Sequence, residues 1–166
     1  AGLVRGASKG EGLGNQFLAN IRETDTVVQV VRCFEDESVI HVEGRVDPRR
    51  DIETIAIELA LSDLAAVERR RDKAQKNLKG GDKVARAELE VLDKLQPALE
   101  AGRAARTVSL TDDERDVARS FFLLTLKPTI YATNVDETTL AAPNENPMVL
   151  EVEKIARDES AECVVI

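Results

Sequence analysis

Two β-branched runs, TVVQVVRCF at 26–34 and KPTIYATNV at 127–135, stand far apart, with a long stretch of helical periodicity between them. Neither run shows a 3.6-residue period, so both read as buried strands. Pro128 is tolerable only at the start of its strand, because it has no N–H to give to the ladder. ECVVI at 162–166 reads as a third strand, and NPMVLEVEKIARDES before it places Met148, Val149, Val152 and Ile155 at helical spacing. Strand, helix, strand is the unit of a parallel α/β sheet. The chain is therefore expected to build a sheet and to interrupt it with a helical excursion.

The excursion has its own pattern. Ala60, Leu64, Val67, Ala74 and Leu78 follow a 4-3 spacing, with Arg71 in the slot between Val67 and Ala74. After KGGDK at 79–83, Ala85, Leu89, Leu92 and Leu99 resume it, with Gln96 in one slot. Two glycines between heptad-like helices predict the tip of an antiparallel helical hairpin, a coiled-coil arm. Pro97 is expected to bend or end the second helix. Thr111-Asp-Asp-Glu114 is a capping box predicted to launch a further helix carrying Val117, Phe121 and Leu124. The arm, 51–106, reads as an insertion into a host domain made of 1–50 and 107–166.

Charge follows the same division. The net charge is −8, yet 51–106 holds eleven acidic and eleven basic residues, leaving 20 acidic against 12 basic in the flanks. Two units with different surroundings are implied, and a general nucleic-acid binder, which would carry a basic excess, is not. With 43% apolar and 33% charged residues the chain has material for an ordinary core. No apolar run approaches the ~20 residues of a membrane span, and AGLVRGASKG lacks the apolar core of a secretory leader. Cys33 and Cys163 form no CxxC and His41 is the one histidine, so reduced cytosolic thiols are expected rather than a disulfide or structural metal.

The first fourteen residues hold five of the nine glycines. By composition that is a flexible loop before a helix; it is not GxGxxG after a strand, and GEGLGNQ lacks the Lys-Ser/Thr of a P-loop. The full string says more. AGLVRGASKGEGLGNQFL resembles the switch II region of Obg-type P-loop nucleotidases, in which DxxG precedes a Gly-rich segment ending in GLGxQFL. With NQFLANIRETD, VVRCF, HVEGRVDPRRDIE and KPTIY..NV in the same order, the chain resembles the YchF family of Obg-like ATPases over essentially its whole length. The fold so implied is part of a P-loop nucleotidase parallel sheet with the hairpin inserted. The resemblance also implies an internal fragment, with a P-loop before it, a C-terminal domain after it, and Gly2 as the glycine of DxxG.

That alignment assigns roles. Asn134 falls at the carboxyl end of a strand, where open parallel sheets bind ligands. Its amide can donate to purine N7 of either adenine or guanine. Ordinary GTPases follow this Asn with Lys and, two residues later, an Asp that accepts from N1–H and the exocyclic amine of guanine. Here Val135 and Glu137 occupy those positions, and guanine loses its matched partner, a loss that can reach several powers of ten in specificity. The same NxxE variation marks the YchF family, which implies ATP preferred with GTP accepted and a backbone contact from Val135 to the adenine edge. Standing alone, Asn before an acidic turn would read as an Asx turn. Gly2 is implied to offer its N–H to the γ-phosphate. Leu3 stands where many GTPases carry the water-orienting Gln and can neither donate nor accept, so slow turnover is expected. Mg²⁺ would accompany ATP or GTP in the complete protein through a P-loop; no metal ligand is expected in this stretch.

Lys76, Lys79, Lys83 and Arg86, preceded by Arg69, Arg70, Arg71 and Lys73, concentrate positive charge towards the hairpin tip. Either they form a solvated face with salt bridges to Asp72 and Glu68, or they contact RNA phosphates, in keeping with the ribosome association the family resemblance implies. No aromatic accompanies them, so base stacking is not indicated. The competing functional class is a noncatalytic helical interaction module with a structural sheet remnant.

Overall fold

The computed structural model describes residues 14–36 and 46–166, with side chains from Phe17 onward in the first segment. Gly2, Leu3 and His41 lie outside the described residues. By packing, the chain divides into one compact unit of 1–24 and 55–127 and another of 25–54 and 128–166.

The second unit carries the sheet. Strands β1 (Val27–Arg32), β2 (Thr129–Asn134) and β3 (Glu162–Val165) lie in the order β1-β2-β3, both pairs parallel. Val28 is in register with Ile130, and Ala132 with Val164. Pro128 stands just before β2, where it costs no ladder bond; its carbonyl accepts from Val27 N–H at 3.0 Å. The helix between β2 and β3 runs Pro147–Asp158 and buries Val149, Val152 and Ala156 against Val31, Cys33, Tyr131 and Ile52. Asn146 caps it, accepting from Met148 N–H at 2.8 Å, and Pro147 at the first helical position has its missing N–H where none is needed. The expectation that 26–34 is buried throughout is only half met. Val31 and Cys33 are buried, but Val28 and Val30 are 56% and 61% exposed, since successive residues of a strand point to opposite faces.

The first unit is helical. Helix α1 spans Gly14–Arg22, α2 spans Pro48–Leu78 (its first turns belonging to the sheet unit), and α3 spans Lys83–Glu100. Between α2 and α3 the chain turns at Gly80 and Gly81, the latter at φ +82°, a conformation that favours glycine. Asp82 caps α3 by accepting from Val84 N–H at 2.8 Å. Arg70–Glu88 and Arg71–Asp93 ion pairs, each at 2.7 Å, tie the two helices together in antiparallel sense. Ala60, Val67, Leu92 and Leu99 share one apolar cluster. In α3 the buried row is Ala85, Leu92, Leu95 and Leu99, so Leu95 fills the seam where the sequence pattern put Gln96, which is half-buried.

Two helix ends correct the sequence reading. Pro97 does not end α3, which continues to Glu100 because a proline in the last turn forfeits a single backbone bond. The stop is Gly102 at φ +69°: Gly102 N–H reaches Leu99 O at 2.9 Å and Arg103 N–H reaches Ala98 O at 2.8 Å, the paired bonds of a Schellman motif. The helix launched by the capping box, α4 (Asp112–Arg119), is shorter than expected. Both capping bonds form, Thr111 N–H to Glu114 at 3.0 Å and Glu114 N–H to Thr111 Oγ1 at 3.3 Å. Phe121 and Leu124 are buried but lie past its end, because Phe122 turns the backbone at φ +53°. Among the described residues no helix is long and apolar enough to cross a membrane.

Candidate nucleotide base site

Asn134 is the last residue of β2, the central strand, and all three strands present their carboxyl ends on its side. Its backbone is fixed from both flanks. Cys33 N–H donates to Asn134 O at 2.8 Å, Val135 N–H donates to Ile166 O at 3.1 Å, and Ile166 N–H donates to Thr133 O at 3.0 Å. Asn146, besides capping its helix, donates from its amide to Cys33 O at 3.0 Å, joining the end of β1 to the start of that helix. A half-buried Asn134 side chain thus stands on a rigid backbone, and it forms no hydrogen bond with another described residue. Its amide therefore keeps both a donor and an acceptor unengaged among the described residues.

The turn after β2 is capped by Asp136, not by Asn134. Asp136 accepts from Thr139 N–H at 2.7 Å and Thr138 Oγ1 at 2.8 Å and opens a short helix, Glu137–Ala141. The Thr139 N–H, with the neighbouring hydroxyls, holds the exposed Asp136 carboxyl below the usual range. The Asx-turn alternative for Asn134 is accordingly filled by its neighbour two residues on. Val135 is half-buried against the sheet cluster, while Glu137 is exposed in the first turn of the short helix. The structure brings Asn134, Val135 and Glu137 together at one strand end.

The Cys33 thiol near this end contributes no chemistry. Burial pushes the Cys33 thiol up to about 12, so it stays protonated at neutral pH and is no nucleophile. Among the described residues no group of three or more His, Cys, Asp or Glu is placed to hold a metal ion.

A polar centre that the sequence reading missed lies in the helical unit. Asp63 is fully buried and accepts from Leu124 N–H at 2.9 Å, Thr125 N–H at 2.7 Å and Thr125 Oγ1 at 2.8 Å. Arg22, at the end of α1, reaches Asp63 at 3.3 Å, Ser62 Oγ at 2.9 Å and Phe122 O at 2.9 Å. Burial raises the Asp63 carboxyl, opposed by these donors. The available signal was position: Asp63 falls four residues from both Leu59 and Val67, on the apolar row.

No family model matches the chain. Across all 166 residues it is 51% identical to the ribosome-binding ATPase YchF of Haemophilus influenzae and 45% identical to that of Bacillus subtilis, spanning 45% of each. Among solved structures, the YchF GTPase of Schizosaccharomyces pombe superposes with a TM-score of 0.77 at 31% identity, over 93% of this chain and 43% of that one. The chain belongs to the YchF family. It spans about half the length of the curated relatives it matches. The parallel sheet with its inserted helices is the fold that the family resemblance implied.

The basic residues of the arm separate into two groups. Arg70 donates to Glu88 and to Ser120 and lies 4.7 Å over the Phe121 ring, and Arg71 pairs with Asp93. Lys76, Lys79, Lys83 and Arg86 are exposed and make no ion pair with another described residue. Among the described residues the expected alternative of salt bridges to Asp72 and Glu68 does not form; Glu88 and Asp93 hold Arg70 and Arg71.

Proposed function

We propose that the protein containing this chain is a nucleotide-binding and hydrolysing switch that prefers ATP, accepts GTP and works on the ribosome in the cytoplasm. The observation that carries the reading is Asn134: an unengaged amide on a rigid backbone at the carboxyl end of the central parallel strand, followed by Val135 and Glu137. On this reading 1–50 and 107–166 are parts of one nucleotide-binding domain, and 51–106 is an arm inserted in it. The Asn134 amide meets the purine edge common to both bases. The Val135 backbone faces the adenine edge, and Glu137 fails to reproduce the bidentate acceptor that guanine needs. Gly2 would give its N–H to the γ-phosphate, where a Cβ would crowd the approach. Leu3 leaves the attacking water without a side-chain partner, which makes intrinsic turnover slow. Mg²⁺ accompanying the nucleotide belongs to the whole protein; the P-loop Lys and Ser/Thr are not in this sequence, so this stretch alone is catalytically silent. The relatives' names, ribosome-binding ATPase and YchF GTPase, support the class.

The test is nucleotide titration of the full-length protein. Asn134→Ala should weaken ATP and GTP alike by about 10-fold or more, as expected for losing a buried polar contact to the ligand. Unchanged affinity for both would remove the strand end from the binding site.

A further inference from the structure

Asn146 does two things with two different atoms. Its Oδ1 accepts from Met148 N–H at 2.8 Å and Val149 N–H at 3.4 Å, which caps the Pro147–Asp158 helix. Its Nδ2 donates to Cys33 O at 3.0 Å. The partners fix which way the amide points, since a carbonyl only accepts and an N–H only donates. Capping uses the oxygen alone, and serine or aspartate would serve it as well. The nitrogen serves the strand end. β1 stops at Arg32, and the Cys33 N–H to Asn134 O bond, at 2.8 Å, is the last between β1 and β2 among the described residues. A bond at the end of a ladder is among the first to open, and this one fixes the backbone of Asn134. Asn146 holds the other side of Cys33 and is itself held. Its N–H donates to Pro143 O and its carbonyl accepts from Leu150 N–H, both at 3.1 Å, while Val149 and Val152 of its helix pack with Val31, Cys33 and Tyr131.

We infer that Asn146 is a positioning residue of the base site, clamping the end of β1 to a core-packed helix and so holding Asn134 where it meets the purine edge. This role rests on the proposed reading of Asn134 as the base contact. Asn146 acts through Cys33 and not by touching the nucleotide. A recognition group must stay within about 0.5 Å of its working place, and the residues behind it decide whether it does. Asn146→Asp keeps a cap oxygen but sets a carboxylate against the Cys33 carbonyl, two acceptors with no proton between them. Its lost bond is offset by negative charge at a helix N-terminus. Asn146→Ser keeps a neutral cap too short to reach Cys33.

The experiment uses the full-length protein as wild type, Asn146→Asp, Asn146→Ser and Asn134→Ala. Each is titrated with ATP, GTP and inorganic triphosphate, and each is melted. Inorganic triphosphate has no base to be placed, so it reports on the rest of the site. Both Asn146 variants should bind ATP and GTP about 5- to 20-fold more weakly while binding triphosphate as wild type does. The melting temperature of Asn146→Asp should stay within about 3 °C of wild type. Wild-type affinity for ATP and GTP in both Asn146 variants, with Asn134→Ala weakened, would overturn the positioning role and leave the base site standing. Wild-type affinity in all three variants would overturn both. Equal losses for triphosphate and nucleotides, with a lowered melting temperature, would make Asn146 a helix cap alone and overturn the positioning role.

Discussion

Asp63 has no exposed surface, yet every polar contact it makes is to a donor, two backbone N–H groups, a hydroxyl and a guanidinium. Removing the carboxylate would strand Leu124 and Thr125 N–H in the interior and free Arg22 from its partner. Asp63→Ala should therefore cost about 3–5 kcal/mol in denaturant unfolding, the range for breaking a buried pair. A loss under about 1 kcal/mol would mean that water or a shifted backbone satisfies those donors. This centre was not legible in the sequence, because the partners of Asp63 lie in two distant segments, at Arg22 and at Leu124–Thr125, and a helical aspartate is usually a solvated one. The place of Asn134, Val135 and Glu137 at a strand end was legible because it rests on local order after a strand. Which neighbour caps the turn was not: Asp136 and Asn134 are both suited to an Asx-type bond, and only the backbone path selects Asp136.

At the scale of elements, the strands, the hairpin and the capping box were readable because periodicity and capping chemistry are short-range. The ends were less so. Pro97 was expected to bend or end α3, but the stop is Gly102, since its left-handed conformation lets two N–H groups fold back on the last carbonyls. A Cβ at Gly102 would meet Ile57 Cγ1 at 3.7 Å, ordinary contact, so the whole penalty of Gly102→Ala is conformational. It should destabilise by about 1–2 kcal/mol, and Gly81→Ala, with no atom within 4 Å of its Cβ, by a similar amount. Thermal melts of the two variants check this; a Gly102→Ala protein as stable as wild type would show that the chain leaves α3 by another route. In α3, Ala85, Leu92 and Leu99 are buried where the heptad count puts them, while Leu95 takes the slot that it gives to Gln96, and half-buried Glu88 pairs with Arg70 of α2.

For the whole molecule, the sheet unit supplies a fixed strand end and the helical unit supplies an exposed basic arm. The proposed switch links nucleotide identity at the first to ribosome contact at the second. Its central claim is that the base is read at Asn134 with Val135 and Glu137 setting tolerance for adenine. The most direct measurement is competition between ATP and GTP for the full-length protein and for Val135→Lys/Glu137→Asp. That exchange restores the lysine and the shorter carboxylate that guanine recognition uses, so preference should move towards GTP by about 10-fold or more. An unchanged ATP-to-GTP ratio, with both nucleotides still bound, would contradict the account.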